Sequence, residues 1–128
     1  MDFIFEKESN KDFATAVADL KMNLQKKSFG VLWELNLKDK LQEKGQDFNA
    51  NFMVLEVCNP GTAAKVLNQR IEAGFMLPCK MGVYEKNGKT WIGMQNPLKL
   101  IELMGDDSLG GFAQEVADTL SQAIEETI

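Results

Sequence analysis

The sequence predicts an α+β fold in which a curved, mostly antiparallel sheet carries helices packed on one face. Three observations lead to this class. Five segments have the apolar pattern of strands, three longer segments have the spacing of amphipathic helices, and Asn87-Gly88 is typical of a tight turn between antiparallel strands. No internal repeat and no linker rich in Gly, Pro or Ser divides the chain, so we expect residues 1–128 to form a single domain.

The first third of the chain alternates strand and helix. A short apolar run predicts a strand over residues 2–6, and Ser9 or Asn10 is the predicted cap of a helix that extends to Lys26-Lys27. A second strand is indicated by apolar residues at every other position, which should share one buried face: Phe29, Val31, Trp33, Leu35 and Leu37.

The middle of the chain contains the most informative stretch. A short polar helix over residues 38–44 should end at Gly45, and residues 52–57 form a strand that is apolar on both faces apart from Glu56. Pro60 suits the first turn of a helix that Gly74 should end.

The last third begins with a hairpin. Strands over residues 79–86 and 89–94 should pair through the Asn87-Gly88 turn. Asn96-Pro97 starts a short helix, residues 105–111 are a loop or a loop with a helix start, and a final helix carries apolar residues at helical spacing to the end of the chain.

Composition excludes several classes of function. Apolar residues make up 45% of the chain, the net charge is -5, and no cluster of Lys and Arg appears, which argues against nucleic acid as a partner. No apolar run is long enough to span a membrane, and the N-terminal residues do not resemble a secretion signal, so we expect a cytoplasmic protein with no membrane association.

The chain contains no histidine and two cysteines. The lack of histidine removes Ser-His-Asp and Cys-His catalysis, and two cysteines are too few for a closed zinc site made mainly of thiolates. We therefore predict no catalytic residues, no resident metal and no cofactor. In a chain without a secretion signal, both cysteines should be reduced thiols.

Cys58 is the most interesting candidate. It precedes Asn59, the predicted cap of the helix that starts at Pro60, and the positive end of a helix favours a reactive thiolate. The competing interpretation is a buried free cysteine that acts as a small apolar residue, which is common for cysteine.

Cys79 follows Pro78 at the start of a strand, and its relation to Cys58 depends on topology. If strands 52–58 and 79–86 are antiparallel neighbours, the cysteines lie close together. If they are parallel neighbours, the cysteines lie at opposite ends, beyond disulfide range. The intervening helix favours the parallel arrangement where the two strands are adjacent.

Sulfur and aromatic side chains give two weaker signals. Met76, Met81 and Met94 lie near the cysteines, and thiolates with thioethers suit Cu(I), although no MxxM or CxxC spacing appears. The aromatic candidates for a ligand pocket are Trp33, Tyr84 and Trp91, although strand aromatics more often serve packing.

The order of these pieces resembles a known family. Val57-Cys58-Asn59-Pro60 followed by Ala63 or Ala64, and then Leu77-Pro78-Cys79, are similar to the bacterial and archaeal family called domain of unknown function 302. The resemblance extends from about Phe3 to Phe112. It implies a small α+β domain with a curved antiparallel sheet packed against helices, and it implies no catalytic residues.

The sequence thus predicts a non-catalytic module that binds a small ligand or a partner. The ligand-binding candidates are Cys58, Asn59, Cys79, Trp33, Tyr84 and Trp91, and a small apolar or thiol-reactive ligand would suit them. The alternative is a thiol-dependent redox enzyme or a soft-metal-handling protein that uses Cys58, with or without Cys79. Apolar residues left on the second face of the sheet predict a homodimer.

Overall fold

Five strands form one antiparallel sheet in the computed structural model, which describes residues 2–128. The strands are β1 (Ile4–Ser9), β2 (Gly30–Asn36), β3 (Phe52–Cys58), β4 (Cys79–Lys86) and β5 (Lys89–Gln95). Their spatial order is β1-β5-β4-β3-β2, and every neighbouring pair is antiparallel. The predicted fold class is confirmed. Asn87 and Gly88 both have positive φ angles, of 54° and 76°, as the predicted turn requires.

Five α-helices connect or follow the strands. They are α1 (Phe13–Lys26), α2 (Leu37–Glu43), α3 (Pro60–Gln69), α4 (Pro97–Met104) and α5 (Gly110–Thr127). Two short 3-10 helices, Ile71–Met76 and Asp107–Leu109, precede β4 and α5.

The start of α1 and the end of α3 differ from the prediction. Asp12 caps α1, because Ser9 still pairs with Thr90 in the sheet and the helix cannot start until the chain has left β1. Helix α3 ends at Gln69, since Arg70 adopts an extended conformation, and Gly74 lies within the following 3-10 helix. The guanidinium of Arg70 bonds to Asp106 at 3.3 Å, which joins this turn to the segment before α5.

The main core lies on one face of the sheet, under α1 and α5. Its larger fully buried members come from both helices and from the three central strands: Leu20, Leu24, Leu55, Val57, Met81, Val83, Ile92, Leu120 and Ile124. A second, smaller cluster of Val66, Ala73 and Leu109 lies among α3, the 3-10 helices and α4. This second cluster covers the end of the sheet where the cysteines lie.

Strand β2 contains a bulge that changes which residues share a face. Val31 pairs with Val57, but the next pair is Trp33 with Glu56, so Leu32 is an extra residue. Trp33 and Leu35 consequently lie on the face opposite to Val31, away from α1 and α5. The prediction of one buried face for the whole strand is wrong, because a single inserted residue reverses the alternation.

Candidate functional site

The end of β3 and the start of β4 meet at one end of the sheet. The two strands are neighbours and antiparallel, and Val57 pairs with Cys79. Cys58 therefore lies beside Cys79 in the sheet, and both are free cysteines. The parallel arrangement favoured by the intervening helix is wrong. Helix α3 and its 3-10 extension return the chain to the end of the sheet that it left, so β4 runs back along β3.

A cavity of about 60 Å³, partly open to solvent, lies over this end. We call it the sheet-end pocket. Its walls are the ends of β3 and β4, the first turns of α3, the 3-10 helix before β4, and helices α4 and α5. The apolar part of its lining includes Phe29, Val57, Ala63, Val66, Met76, Leu77, Leu100, Ile101, Phe112 and Val116.

Polar groups in the sheet-end pocket are few. Cys58, Asn59, Thr62 and Cys79 are its polar lining residues, and none of the described residues in the lining is charged. Asn59 caps α3, because its side-chain Oδ1 accepts the Thr62 amide at 3.1 Å. The positive end of the α3 dipole therefore lies at the pocket beside Cys58.

The thiols in this pocket are harder to ionise than free cysteine. Burial raises the pKa of Cys58. The pKa of Cys79 is raised to about 11, mainly by burial and further by the negative charges of Cys58 and Glu56. Both side chains are consequently protonated at neutral pH, which runs against the expectation that the helix terminus makes Cys58 a thiolate.

The three candidate aromatics lie elsewhere. Trp33, Tyr84 and Trp91 are on the second face of the sheet, opposite α1 and α5, and none lines the sheet-end pocket. The structure therefore separates the six candidates into two groups. Cys58, Asn59 and Cys79 share one pocket, while the aromatic group lies across the sheet.

Tyr84 takes part in a local network on that second face. Its ring stacks on Phe52 with centroids 5.2 Å apart, and its hydroxyl donates to Oε2 of Glu6 at 2.7 Å. Burial, the hydrogen bond and the charge of Glu6 together raise the pKa of Tyr84 to about 12. A groove of about 160 Å³ runs beside this pair over Gly82 and Gly93.

Several pocket residues carried no sequence signal for a site. Ile101 of α4 and Phe112 and Val116 of α5 line the sheet-end pocket, although they follow Cys58 by more than forty positions. Their helical spacing indicated core packing and gave no hint of which cavity they would face. The sequence did indicate Met76 as a candidate, because its polarisable thioether lies three residues before Cys79.

Residues 2–128 contain neither a metal-binding cluster of Cys, Asp and Glu nor a membrane-spanning helix. These residues contain no group of three or more Cys, Asp and Glu side chains arranged to hold a metal ion. No helix in the same range is long and apolar enough to cross a bilayer.

Comparison with known proteins identifies the family. The model of the family described as "Domain of unknown function DUF302" matches residues 5–127. The chain belongs to the DUF302 family. The resemblance to domain of unknown function 302 is thereby confirmed, over more of the chain than the motifs indicated.

A solved DUF302 structure has the same fold as this chain. The crystal structure of an uncharacterized conserved DUF302 protein from Bacillus stearothermophilus is 37% identical, covers 100% of both chains and superposes with a TM-score of 0.97. No curated protein matches the chain. The DUF302 comparison thus establishes the family and the fold of this chain.

Proposed function

We propose that this DUF302 domain is a non-catalytic binding module that holds a small apolar or thiol-reactive ligand in the sheet-end pocket. The observation that carries the proposal is the lining, which combines apolar side chains with two protonated thiols and no charged group. Apolar pockets with a few placed polar groups are the usual form of small-ligand sites.

The residues that line the pocket are better suited to binding a ligand than to acid–base catalysis. Asn59 and Thr62 are neutral at all ordinary pH values, and Oδ1 of Asn59 already accepts the Thr62 amide in the cap of α3. The raised pKa values leave little thiolate at either cysteine near neutral pH. Most of the binding free energy of a ligand would come from burial of its apolar surface against α3, α4 and α5.

Pocket size limits the ligand. A dry apolar cavity of about 150 Å³ holds benzene, and the sheet-end pocket is less than half that size at about 60 Å³. The pocket therefore suits an alkyl group of a few carbons, with the remainder of a larger ligand at the open mouth.

The test uses a series of short-chain 1-alkanols as probes, with binding followed by amide chemical shifts. Ala63 lines the pocket, whereas its neighbour Ala64 on the same helix faces solvent, so the two provide a matched pair. We expect shifts confined to the sheet-end pocket, lost in Ala63→Leu and retained in Ala64→Leu. Unchanged binding in Ala63→Leu, or shifts only at the groove over Gly82 and Gly93, would contradict the proposal.

Thiol reactivity separates this proposal from the redox alternative that uses Cys58. A binding module with a protonated Cys58 should react with iodoacetamide at neutral pH no faster than a free thiol, because the thiolate is the nucleophile. Alkylation several-fold faster than a small-molecule thiol, assigned to Cys58 by peptide mapping, would favour the redox enzyme instead.

A further inference from the structure

Three sulfur side chains converge on the sheet-end pocket. Cys58 ends β3, Cys79 starts β4, and Met76 ends the 3-10 helix between them; all three line the same cavity. The register that pairs Val57 with Cys79 places Cys58 and Cys79 on neighbouring strands at the same end of the sheet. The other two sulfur candidates of the sequence, Met81 and Met94, are buried in the main core instead.

We propose that the sheet-end pocket binds one Cu(I) ion through the sulfurs of Cys58, Cys79 and Met76. Thiolate and thioether are soft ligands, and soft ligands select Cu(I) among the common biological metals. The lining has neither the carboxylates that Mg²⁺ and Ca²⁺ require nor the four donors of a closed zinc site.

The surroundings suit a low-coordinate soft ion. Apolar side chains of α4 and α5 form part of the pocket wall, so water and hard anions find few hydrogen-bond partners there if they enter as additional ligands. The amino end of α3, a helix of 10 residues capped by Asn59, lies beside Cys58. Its positive dipole end favours the negative charge that a bis-thiolate copper centre carries.

The binding step is a ligand exchange that balances without a redox partner. Two S–H bonds break, three Cu–S bonds form, the ligands that delivered Cu(I) are released, and two protons pass to solvent. The Met76 thioether donates a lone pair and loses no proton. Copper enters as Cu(I) and stays Cu(I), so the bound site carries one net negative charge.

This inference does not rest on the alkyl-ligand proposal, although both use the sheet-end pocket. The two have separate readouts. A protein that binds alkanols but no copper retains the proposed function and loses this inference, and a protein that binds copper alone does the reverse.

The experiment is an anaerobic titration of the whole chain with Cu(I) against the chromophoric chelator bicinchoninate. The variants are Cys58→Ser, Cys79→Ser and Met76→Leu. Met104→Leu is the matched control, because Met104 packs in the neighbouring apolar cluster and does not line the pocket. Thermal unfolding of each variant verifies folding, and Cys79→Ala replaces Cys79→Ser where a buried hydroxyl prevents folding.

We expect one Cu(I) per chain and a sulfur-only first shell in copper X-ray absorption spectra. Each cysteine variant should lose more than the roughly 10- to 100-fold in affinity that changes in the outer shell of a metal site cause. Met76→Leu should lose less than a cysteine variant, and Met104→Leu should match the unmodified chain.

Three results would overturn the assignment. The first is failure of the unmodified chain to take Cu(I) from bicinchoninate. The second is equal affinity in the unmodified chain and the cysteine variants, which places copper on exposed sulfur such as Met22. The third is equal affinity in Met76→Leu and Met104→Leu, which removes Met76 from the site.

Discussion

Asn59 holds the first turn of α3 beside the two cysteines. Its Oδ1 accepts the Thr62 amide at 3.1 Å, a bond that Asn59→Ala removes. The loss of such a cap costs about 1 kcal/mol in the free energy of unfolding. That cost should lower the thermal midpoint by roughly 3–6 °C for a domain of this size.

Asn59→Asp is the matched control for this cap. Asp caps helices as well as Asn, and its charge suits the amino end of α3, so the thermal midpoint should stay close to that of the unmodified chain. An unchanged midpoint in Asn59→Ala would show that the cap contributes nothing here.

Cys79 makes stability depend on pH in the alkaline range. Its pKa rises from 9.0 to about 11 on folding, mainly through burial. The unfolded chain therefore releases this proton at lower pH than the folded chain. The contribution of this protonated thiol to the free energy of unfolding is fully present below pH 9.0. It decreases by about 2–3 kcal/mol as the pH rises to about 11.

The measurement is urea unfolding of the unmodified chain and Cys79→Ala at about pH 8 and about pH 11. The substitution removes the Cys79 thiol, while the other ionisable groups are the same in both proteins. We expect the difference in stability between the two proteins to shrink by about 2–3 kcal/mol over this range. A constant difference would mean that folding does not perturb the Cys79 thiol.

At the scale of the elements, Gly93 allows β1 and β5 to approach closely. A Cβ atom at position 93 would lie 2.7 Å from the Cβ of Glu6 and 2.8 Å from the carbonyl oxygen of Phe5. Because one of these atoms belongs to the backbone of β1, the strand itself must move. We expect Gly93→Ala to destabilise the fold by about 1–3 kcal/mol, measured by urea unfolding.

Gly111 provides the control for Gly93. It lies in α5, and a Cβ atom there would have no neighbour within 4 Å. Gly111→Ala should therefore stabilise the chain by about 0.5–1 kcal/mol, since alanine is the better helix former. Similar effects of the two substitutions would contradict the close approach of β1 and β5.

At the scale of the whole molecule, the second face of the sheet exposes apolar side chains around the Lys80–Glu56 ion pair. The bulge at Leu32 brings Trp33 to this face with 51% of its surface exposed, and Ile4 at the other edge is 50% exposed. The stacked Phe52 and Tyr84 lie between them. Exposed apolar patches of this kind typically mark an interface, and a two-fold pair is the commonest solution, so we expect a homodimer through this face.

Sedimentation at micromolar concentration tests the dimer. We expect a species of twice the 14.3 kDa chain mass. Trp33→Glu should shift it to the monomer, because it places a charge in the interface. Leu103→Glu is the control, since Leu103 is 75% exposed on α4, a helix that packs against α5. A single species near 14.3 kDa for the unmodified chain would exclude the dimer.

The sequence by itself determined the features that depend on neighbouring residues. Asn87-Gly88 specified the hairpin because few residues tolerate two successive positive φ angles. Asn59-Pro60 specified the start of α3, and helical spacing of apolar residues specified α1 and α5. The family motifs include the two cysteines, so the part of the sheet-end pocket formed by Cys58, Asn59 and Cys79 was visible as a candidate site.

Only the tertiary structure decided how distant segments meet. The antiparallel pairing of Val57 with Cys79, the bulge that moves Trp33, and the closure of the pocket by Ile101 and Phe112 all depend on contacts between segments far apart in the chain. Local spacing constrains which residues are buried, but it does not specify which buried surfaces face each other. Packing of the whole domain determines which buried surfaces meet, because an apolar face can pack against any apolar partner of complementary shape.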